Sequence, residues 1–224
     1  MLEYGELDLD EYLAEDNPPL SNEEIIAFWE GLFTVADTLK RIHHLRDDRG
    51  QFYRGWHGDV KPDNILRVRG EYRLADFGFA RFIREKPGKT TTYLLGGTRT
   101  YGAPECDRRA RDGTLTPYSQ TIGTWSYGCV LSAVAIWVVL GPQAYEKYRT
   151  RRVMAIKEIQ QRKMVDKAVS VPSCDDAFHD GRTVIPAVTE WHNHLRNSLR
   201  KADAITQRIL DIIDQSMLII IEAR

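Results

Sequence analysis

At 224 residues, with 42% hydrophobic and 28% charged residues, the chain has the composition of a soluble globular protein with one good core. The formal net charge of −1 gives no reason to expect nucleic acid or an anionic membrane as the main partner. Three widely spaced cysteines favour a reducing compartment over a disulfide framework, and the acidic N-terminus is unlike a signal or transit peptide. We therefore expect an intracellular protein, cytoplasmic or nuclear.

The first long helix is predicted after a breaker at residues 17–19. Ser21 and Glu24 have the spacing of a capping box, in which each residue satisfies a backbone amide of the other. Apolar residues then recur every three or four positions as far as Ile42. The pattern predicts an amphipathic helix of about six turns.

A short β-hairpin is predicted next, with strands at Ile65 to Val68 and Tyr72 to Leu74 and a turn around Gly70. Polar loops flank the hairpin on both sides. Because so short a hairpin returns the chain almost to its start, we expect the two loops to lie side by side.

The first loop carries Asp59, Lys61 and Asn64, and the second carries Asp76. Mg²⁺ in proteins takes one or two carboxylates, an amide oxygen and several waters, so Asn64 and Asp76 fit a metal-bound phosphate. Asp59 fits a group that accepts the proton of an attacking hydroxyl, and Lys61 fits one that holds a γ-phosphate. The residues thus point to phosphoryl transfer.

The second half of the chain is predicted to be helical. Residues 79–97 are polar and rich in Lys and Thr without a period, which predicts a mobile loop. The stretch from Ile122 to Leu140 is apolar nearly all round, which predicts a buried helix. Its longest apolar run, Cys129 to Leu140, is too short to span a bilayer. Further helices are predicted over Ala144 to about Lys163, from Pro186 to Leu199, and over Ile205 to Leu218.

Three motifs resemble those of eukaryotic protein kinases. The run from His57 to Leu66 resembles the catalytic loop, the tripeptide at residues 76–78 resembles the metal-binding motif, and the run from Gly97 to Glu105 resembles the end of an activation segment. Lys61, two residues after the aspartate, matches the serine/threonine type. The resemblance implies a protein kinase-like fold of the α+β family. This chain would be its C-terminal lobe, mainly α-helical, with a small β-hairpin carrying the active-site loops.

The resemblance also implies an activity and its site residues. The activity is ATP- and Mg²⁺-dependent transfer of the γ-phosphate to a Ser or Thr hydroxyl of a protein substrate. The implied residues are Asp59, Lys61 and Asn64 for catalysis; Asn64 and Asp76 for the metal; Glu3, Gly5, Leu66 and Asp76 for the nucleotide; and Thr98, bonded to Asp59 and Lys61, for the substrate.

One domain is expected over residues 1–224. Residues 1–16 resemble the hinge between kinase lobes and the short helix after it. Residues 17–140 resemble the catalytic core of the C-terminal lobe. Residues 141–224 are expected to form a divergent helical part of the same lobe. Within them, the stretch from Phe178 to Leu218 resembles divergent fungal kinase-like proteins.

The chain departs from the kinase pattern in three ways. No glycine-rich phosphate loop, strand lysine or paired helix glutamate is present, so this chain alone is expected to be weak or inactive. Gly58 stands where most protein kinases have arginine. Gly123 stands where protein kinases normally have an aspartate that braces the catalytic loop. The lack of that carboxylate should cost on the order of 1–3 kcal/mol of stability unless another group substitutes for it.

Two other functions stay open. A pseudokinase consisting of this lobe alone, or a scaffold, would use the same fold without catalysis. A small-molecule phosphotransferase of the aminoglycoside or choline type shares the pattern H-G-D-x-x-x-x-N. Lys61, the run from Gly97 to Glu105 and the helix around Trp125 favour the protein kinase. No membrane span is expected, and the oligomeric state is open.

Overall fold

The computed structural model describes residues 5–84, 96–107, 118–167 and 171–219. Within these ranges the helices are α1 (Leu9–Glu15), α2 (Asn22–His43), α3 (Thr121–Leu140), α4 (Pro142–Val165), α5 (Pro186–Ser198) and α6 (Thr206–Ile212), which continues as a π-helix over Ile213–Met217. The strands are β1 (Leu7–Asp8), β2 (Leu45–Arg46), β3 (Phe52–Trp56), β4 (Ile65–Val68), β5 (Glu71–Leu74) and β6 (Arg81–Arg84). Short 3₁₀ turns lie at Pro62–Asn64, Phe77–Phe79, Arg99–Tyr101 and Pro104–Asp107.

The predicted hairpin is confirmed as β4 and β5. The strands pair antiparallel with Ile65 opposite Leu74, and β1 adds a third strand on the outer side of β4. The connecting residues Arg69 and Gly70 both have positive φ, at 52° and 81°. Two such residues match the twist of the flanking strands, which is why this turn closes the hairpin tightly.

A second antiparallel sheet, in the order β2-β3-β6, was not predicted from the sequence. The prediction of a mobile loop over residues 79–97 was wrong for Arg81–Arg84, which pairs with β3 from Trp56↔Arg81 to Tyr53↔Arg84. The pairing partner lies far back along the chain, so no local period in residues 81–84 could reveal it. Residues 85–95 lie outside the described ranges.

Helix α2 follows its sequence prediction closely. The Ser21 hydroxyl accepts a hydrogen bond from the Glu24 amide at 3.2 Å, and the Glu24 carboxylate accepts one from the Ser21 amide at 3.0 Å. The helix ends at His43. Its Trp29 side chain donates to the Thr206 hydroxyl at 3.0 Å and so ties α2 to α6.

Helix α3 forms the centre of the protein. Every residue from Ile136 to Val138 has no exposed surface, and Trp125 and Tyr127 are also buried. The sequence prediction judged only the run 129–140, which is too short to span a bilayer. The whole helix, Thr121–Leu140, is long enough to cross a membrane and has a mean hydropathy of 1.6. Because 83% of that stretch is buried inside the protein, the helix has the environment of a core helix.

Candidate functional site

The carboxylate of Asp59 lies at the centre of the candidate site and is only 7% exposed. The Asn64 side-chain amide donates to the Asp59 backbone oxygen at 2.8 Å and to Asp59 Oδ2 at 3.1 Å. The Lys61 ammonium lies 3.8 Å from the same Oδ2. The 3₁₀ turn at Pro62–Asn64 folds the loop back on itself and brings these three side chains together.

The other carboxylate oxygen of Asp59 is held by the segment that contains Thr98. The Thr98 backbone amide donates to Asp59 Oδ1 at 2.6 Å, so the contact is made by the main chain. Gly97, with a φ of 96°, allows this approach, because a Cβ there would lie 2.4 Å from the Gly58 carbonyl oxygen. The segment that resembles the end of an activation segment therefore rests on the loop that carries Asp59.

Asp76 begins the second loop in a left-handed conformation, with φ 56° and ψ 80°. Such a backbone is strained for a residue with a side chain, and strain of this kind clusters at functional sites. Asp76 Oδ1 accepts from the Gly78 amide at 3.0 Å, and the side chain is exposed. The Ala75 amide donates to the Asn64 carbonyl at 2.8 Å, which fixes the second loop against the first.

Asn64 and Asp76 fit the ligand set of Mg²⁺. The Asn64 amide nitrogen is engaged with Asp59, which turns the amide oxygen away from that carboxylate. Asp76 contributes an exposed carboxylate. In the described part of the chain, no cluster of three or more His, Cys, Asp and Glu side chains is placed to hold a metal. One carboxylate and one amide oxygen suit Mg²⁺, which keeps several waters.

His57 connects the two loops, and the sequence reasoning assigned it no role. Its Nε2 donates to the Ala75 carbonyl at 2.9 Å, and its Nδ1 accepts from the Asp59 amide at 3.4 Å. Burial lowers the pKa of His57, and the Ala75 hydrogen bond and the charges of Asp59 and Asp76 only partly oppose that shift. The neutral ring is the form that can donate on one side and accept on the other. Its place two residues before Asp59 is the signal that could have identified it.

Gly58 is required by the backbone of this loop. Its φ is 85°, and a Cβ at this position would lie 2.7 Å from the Phe79 carbonyl oxygen. An arginine here would be strained and would collide with the second loop unless that loop moved. The departure from the kinase pattern at this position therefore has a local steric reason.

Of the residues predicted to bind nucleotide, the structure describes Gly5, Leu66 and Asp76. Gly5 lies against Leu66, since a Cβ on Gly5 would be 3.1 Å from Leu66 Cδ1. The Glu6 amide donates to the Arg67 carbonyl at 2.8 Å and holds this segment beside β4. Glu3 lies outside the described residues. The structure thus places Gly5 against Leu66 of strand β4, in the hairpin that carries the loops.

A cavity of about 190 Å³ adjoins the Thr98 segment. Its lining includes Thr98, Thr100 and Tyr101, together with Asp10 and Asp63. Thr98 is the residue that the cavity shares with the candidate site, because its backbone amide also bonds Asp59.

Comparisons with known proteins identify the family that the chain resembles. The family described as "Protein kinase domain" matches residues 1–207. The serine/threonine-protein kinase ICK of Rattus norvegicus is 40% identical over 142 residues, which cover 61% of this chain and 20% of the relative. The serine/threonine-protein kinase MPS1 of Encephalitozoon cuniculi (strain GB-M1) is 30% identical over 131 residues, which cover 58% of this chain and 20% of the relative.

A longer match covers most of the chain. Cyclin-dependent kinase G-1 of Oryza sativa subsp. indica is 28% identical over 208 residues, which cover 89% of this chain and 25% of the relative. The chain thus spans about a fifth to a quarter of the length of these curated relatives.

Proposed function

Because the chain belongs to the protein kinase domain family, we propose that it carries the catalytic residues for ATP- and Mg²⁺-dependent transfer of a γ-phosphate to a Ser or Thr hydroxyl of a protein. The observation that carries this proposal is the environment of Asp59. Its carboxylate is buried, bonded by Asn64 and by the Thr98 amide, and close to the Lys61 ammonium. A carboxylate oriented in this way can accept a hydroxyl proton at a defined place.

The roles of the chain's own residues follow from these contacts. Asp59 orients the acceptor hydroxyl and takes its proton, while Lys61 places a positive charge beside the transferred phosphate. Asn64 and Asp76 would hold Mg²⁺, which supplies charge neutralisation for the phosphate oxygens when bound. His57 keeps the two loops in register through its bonds to Ala75 and to the Asp59 amide.

The nucleotide is expected to bind weakly to this 224-residue chain by itself. Gly5 and Leu66 offer one side of a nucleotide site, and Asn64 and Asp76 offer the metal ligands. The sequence contains no glycine-rich loop or strand lysine to hold the α and β phosphates. We expect dissociation constants in the millimolar range or above, which correspond to about −4 kcal/mol or weaker.

A protein acceptor is favoured over a small molecule because the Thr98 segment rests directly on Asp59. The same segment lines the adjoining cavity. A polypeptide acceptor can lie along this segment. A free sugar or choline would not need it.

The proposal is tested by transfer of radiolabelled γ-phosphate to a pool of Ser- and Thr-containing peptides at millimolar ATP and Mg²⁺. Asp59→Asn keeps the shape of the side chain but cannot accept a proton, so we expect the rate to fall on the order of 10²- to 10⁴-fold. Asp48→Asn, at an exposed loop position, is the matched control and should leave the rate unchanged. Equal rates for the wild type and Asp59→Asn would contradict the proposal, and absence of transfer by the wild type would favour a non-catalytic scaffold.

A further inference from the structure

The side chain of Gln120 makes an unusual double contact immediately before α3. Its Nε2 donates to the His43 carbonyl at 2.7 Å and to the Gly55 carbonyl at 3.0 Å. His43 is the last residue of α2, and Gly55 lies in β3. One amide group therefore joins three elements, α2, β3 and the start of α3.

Strand β3 is packed too closely against α2 to move independently of that helix. A Cβ added to Gly55 would lie 2.4 Å from the Ile42 carbonyl oxygen and 2.7 Å from the Phe82 ring. The main chain of β3 is therefore in direct contact with the last turn of α2. With the carbonyls of His43 and Gly55 both bonded to Gln120, the position of the strand is tied to the position of α3.

Strand β3 leads directly into the candidate site. His57 follows Gly55 by two residues, bonds the Ala75 carbonyl at 2.9 Å and accepts from the Asp59 amide at 3.4 Å. A displacement of β3 would move His57 and, through it, both loops. Gln120 can thus act on Asp59 through the strand without touching any reacting group.

We propose that Gln120 is a positioning residue that ties the catalytic strand to the central helix. The aspartate expected at position 123 from the resemblance is absent, and a Cβ there would lie 3.5 Å from His43 Nε2. Gln120, one turn earlier, provides a different connection between α3 and the same part of the chain. The functional part of this inference rests on the proposed role of Asp59, whereas the positioning itself does not.

The test compares Gln120→Leu and Gln120→Glu with the wild-type chain. Both variants remove the donated hydrogen bonds, and Gln120→Glu also turns an acceptor toward two carbonyl oxygens. We expect amide hydrogen exchange over residues 53–60 to become about tenfold faster or more, since two partly buried hydrogen bonds are lost. We also expect kcat to fall while KM for the peptide changes little, because the side chain does not contact substrate.

Two further variants separate positioning from general destabilisation. Gln120→Lys restores a donor and should recover most of the protection over residues 53–60. Gln160→Leu is the matched control, because it removes an exposed hydrogen bond from Nε2 to Asp175 at 3.2 Å on α4 and should leave exchange over residues 53–60 unchanged.

Unchanged exchange over residues 53–60 in Gln120→Leu, or the same loss of protection in Gln120→Lys, would overturn the inference. Hydrogen exchange reports the strand whether or not phosphate is transferred. An inactive wild type would therefore count against the proposed function alone.

Discussion

The imidazole of His57 links the two loops of the site at the scale of single residues. It donates to the Ala75 carbonyl, accepts from the Asp59 amide and packs edge-on to the Phe77 ring at 4.9 Å. The ring is only 2% exposed, so water cannot replace these bonds at low cost. Its removal should therefore disturb both loops together.

His57→Phe tests this role, since phenylalanine keeps an aromatic ring beside Phe77 but can neither donate nor accept. We expect the free energy of unfolding to fall by about 1–3 kcal/mol, because the Ala75 carbonyl and the Asp59 amide lose a buried partner. Urea unfolding of the two proteins measures the difference. His194→Phe, at an exposed position on α5, should change stability by less than about 0.5 kcal/mol. Equal effects of the two substitutions would argue against His57 as the link.

The residue pattern predicted some of this geometry and could not predict the rest. The spacing of Asp59, Lys61 and Asn64 within one loop is enough to expect their contact. The left-handed backbone of Asp76 and the use of the Thr98 main-chain amide depend on how two separate segments pack. No property of either residue type encodes those features.

The hairpin of β4 and β5 sets the geometry at the scale of elements. Its turn uses Arg69 and Gly70 in positive φ, and its open end places the loops of Asn64 and Ala75 in hydrogen-bond contact. Among the described residues, no heavy atom would lie within 4 Å of a Cβ on Gly70. Substitution there changes the backbone preference and nothing else.

Gly70→Val is expected to destabilise the protein by about 1–2 kcal/mol, because a β-branched residue disfavours the left-handed conformation. Gly70→Asn is the matched variant and should lose less, since asparagine adopts this conformation more readily. Thermal unfolding of both variants gives the comparison. If valine and asparagine were tolerated equally, the turn would not be under the conformational constraint described here.

The two sheets differ in how far the sequence could predict them. The hairpin shows its strands and its glycine turn within ten residues, so the local pattern is sufficient. The pairing of β3 with β6 joins segments separated by two loops and the hairpin. Residues 81–84 are Arg-Phe-Ile-Arg and show no alternation of polar and apolar side chains. The strand forms because a partner edge is available.

Helix α3 is the element around which the whole molecule is assembled. Its Ser132 hydroxyl lies 2.7 Å from His192 Nε2 of α5, and His192 Nδ1 donates to Asp214 Oδ1 at 2.6 Å. Arg196 donates to Asp214 Oδ2 at 2.7 Å. The network joins the core helix to α5 and to the π-helical end of the last helix. Its members are widely separated in the sequence, so no motif could have predicted it.

The free energy of unfolding at low pH is expected to depend on Asp214. Burial would raise the pKa of Asp214, but the hydrogen bonds and charges of His192 and Arg196 outweigh burial and hold that pKa below its usual value. A carboxyl group with a lowered pKa contributes stability above its unfolded pKa of about 3.9, and this stability is lost as pH falls through the lower folded pKa.

Asp214→Asn should therefore lower the free energy of unfolding by about 1–3 kcal/mol at pH 7, and the difference from the wild type should shrink below about pH 4. Asp211→Asn is the control, because Asp211 pairs with the same Arg196 at 3.0 Å from a more exposed position and should cost less than about 1 kcal/mol. Denaturant unfolding between pH 2.5 and 7 measures both. A pH-independent difference for Asp214→Asn would rule out the assigned charge state.

The most direct test of the proposed site is paramagnetic broadening of amide NMR signals by millimolar Mn²⁺–ATP, with Mn²⁺ in place of Mg²⁺. We expect the signals of Asn64, Asp76 and Gly78 to broaden first and those of α5 to stay sharp. Asp76→Asn should abolish the selective broadening, because it removes the carboxylate ligand. Broadening that begins elsewhere, or that persists unchanged in Asp76→Asn, would contradict the assignment of Asn64 and Asp76 as the metal ligands of a phosphotransfer site.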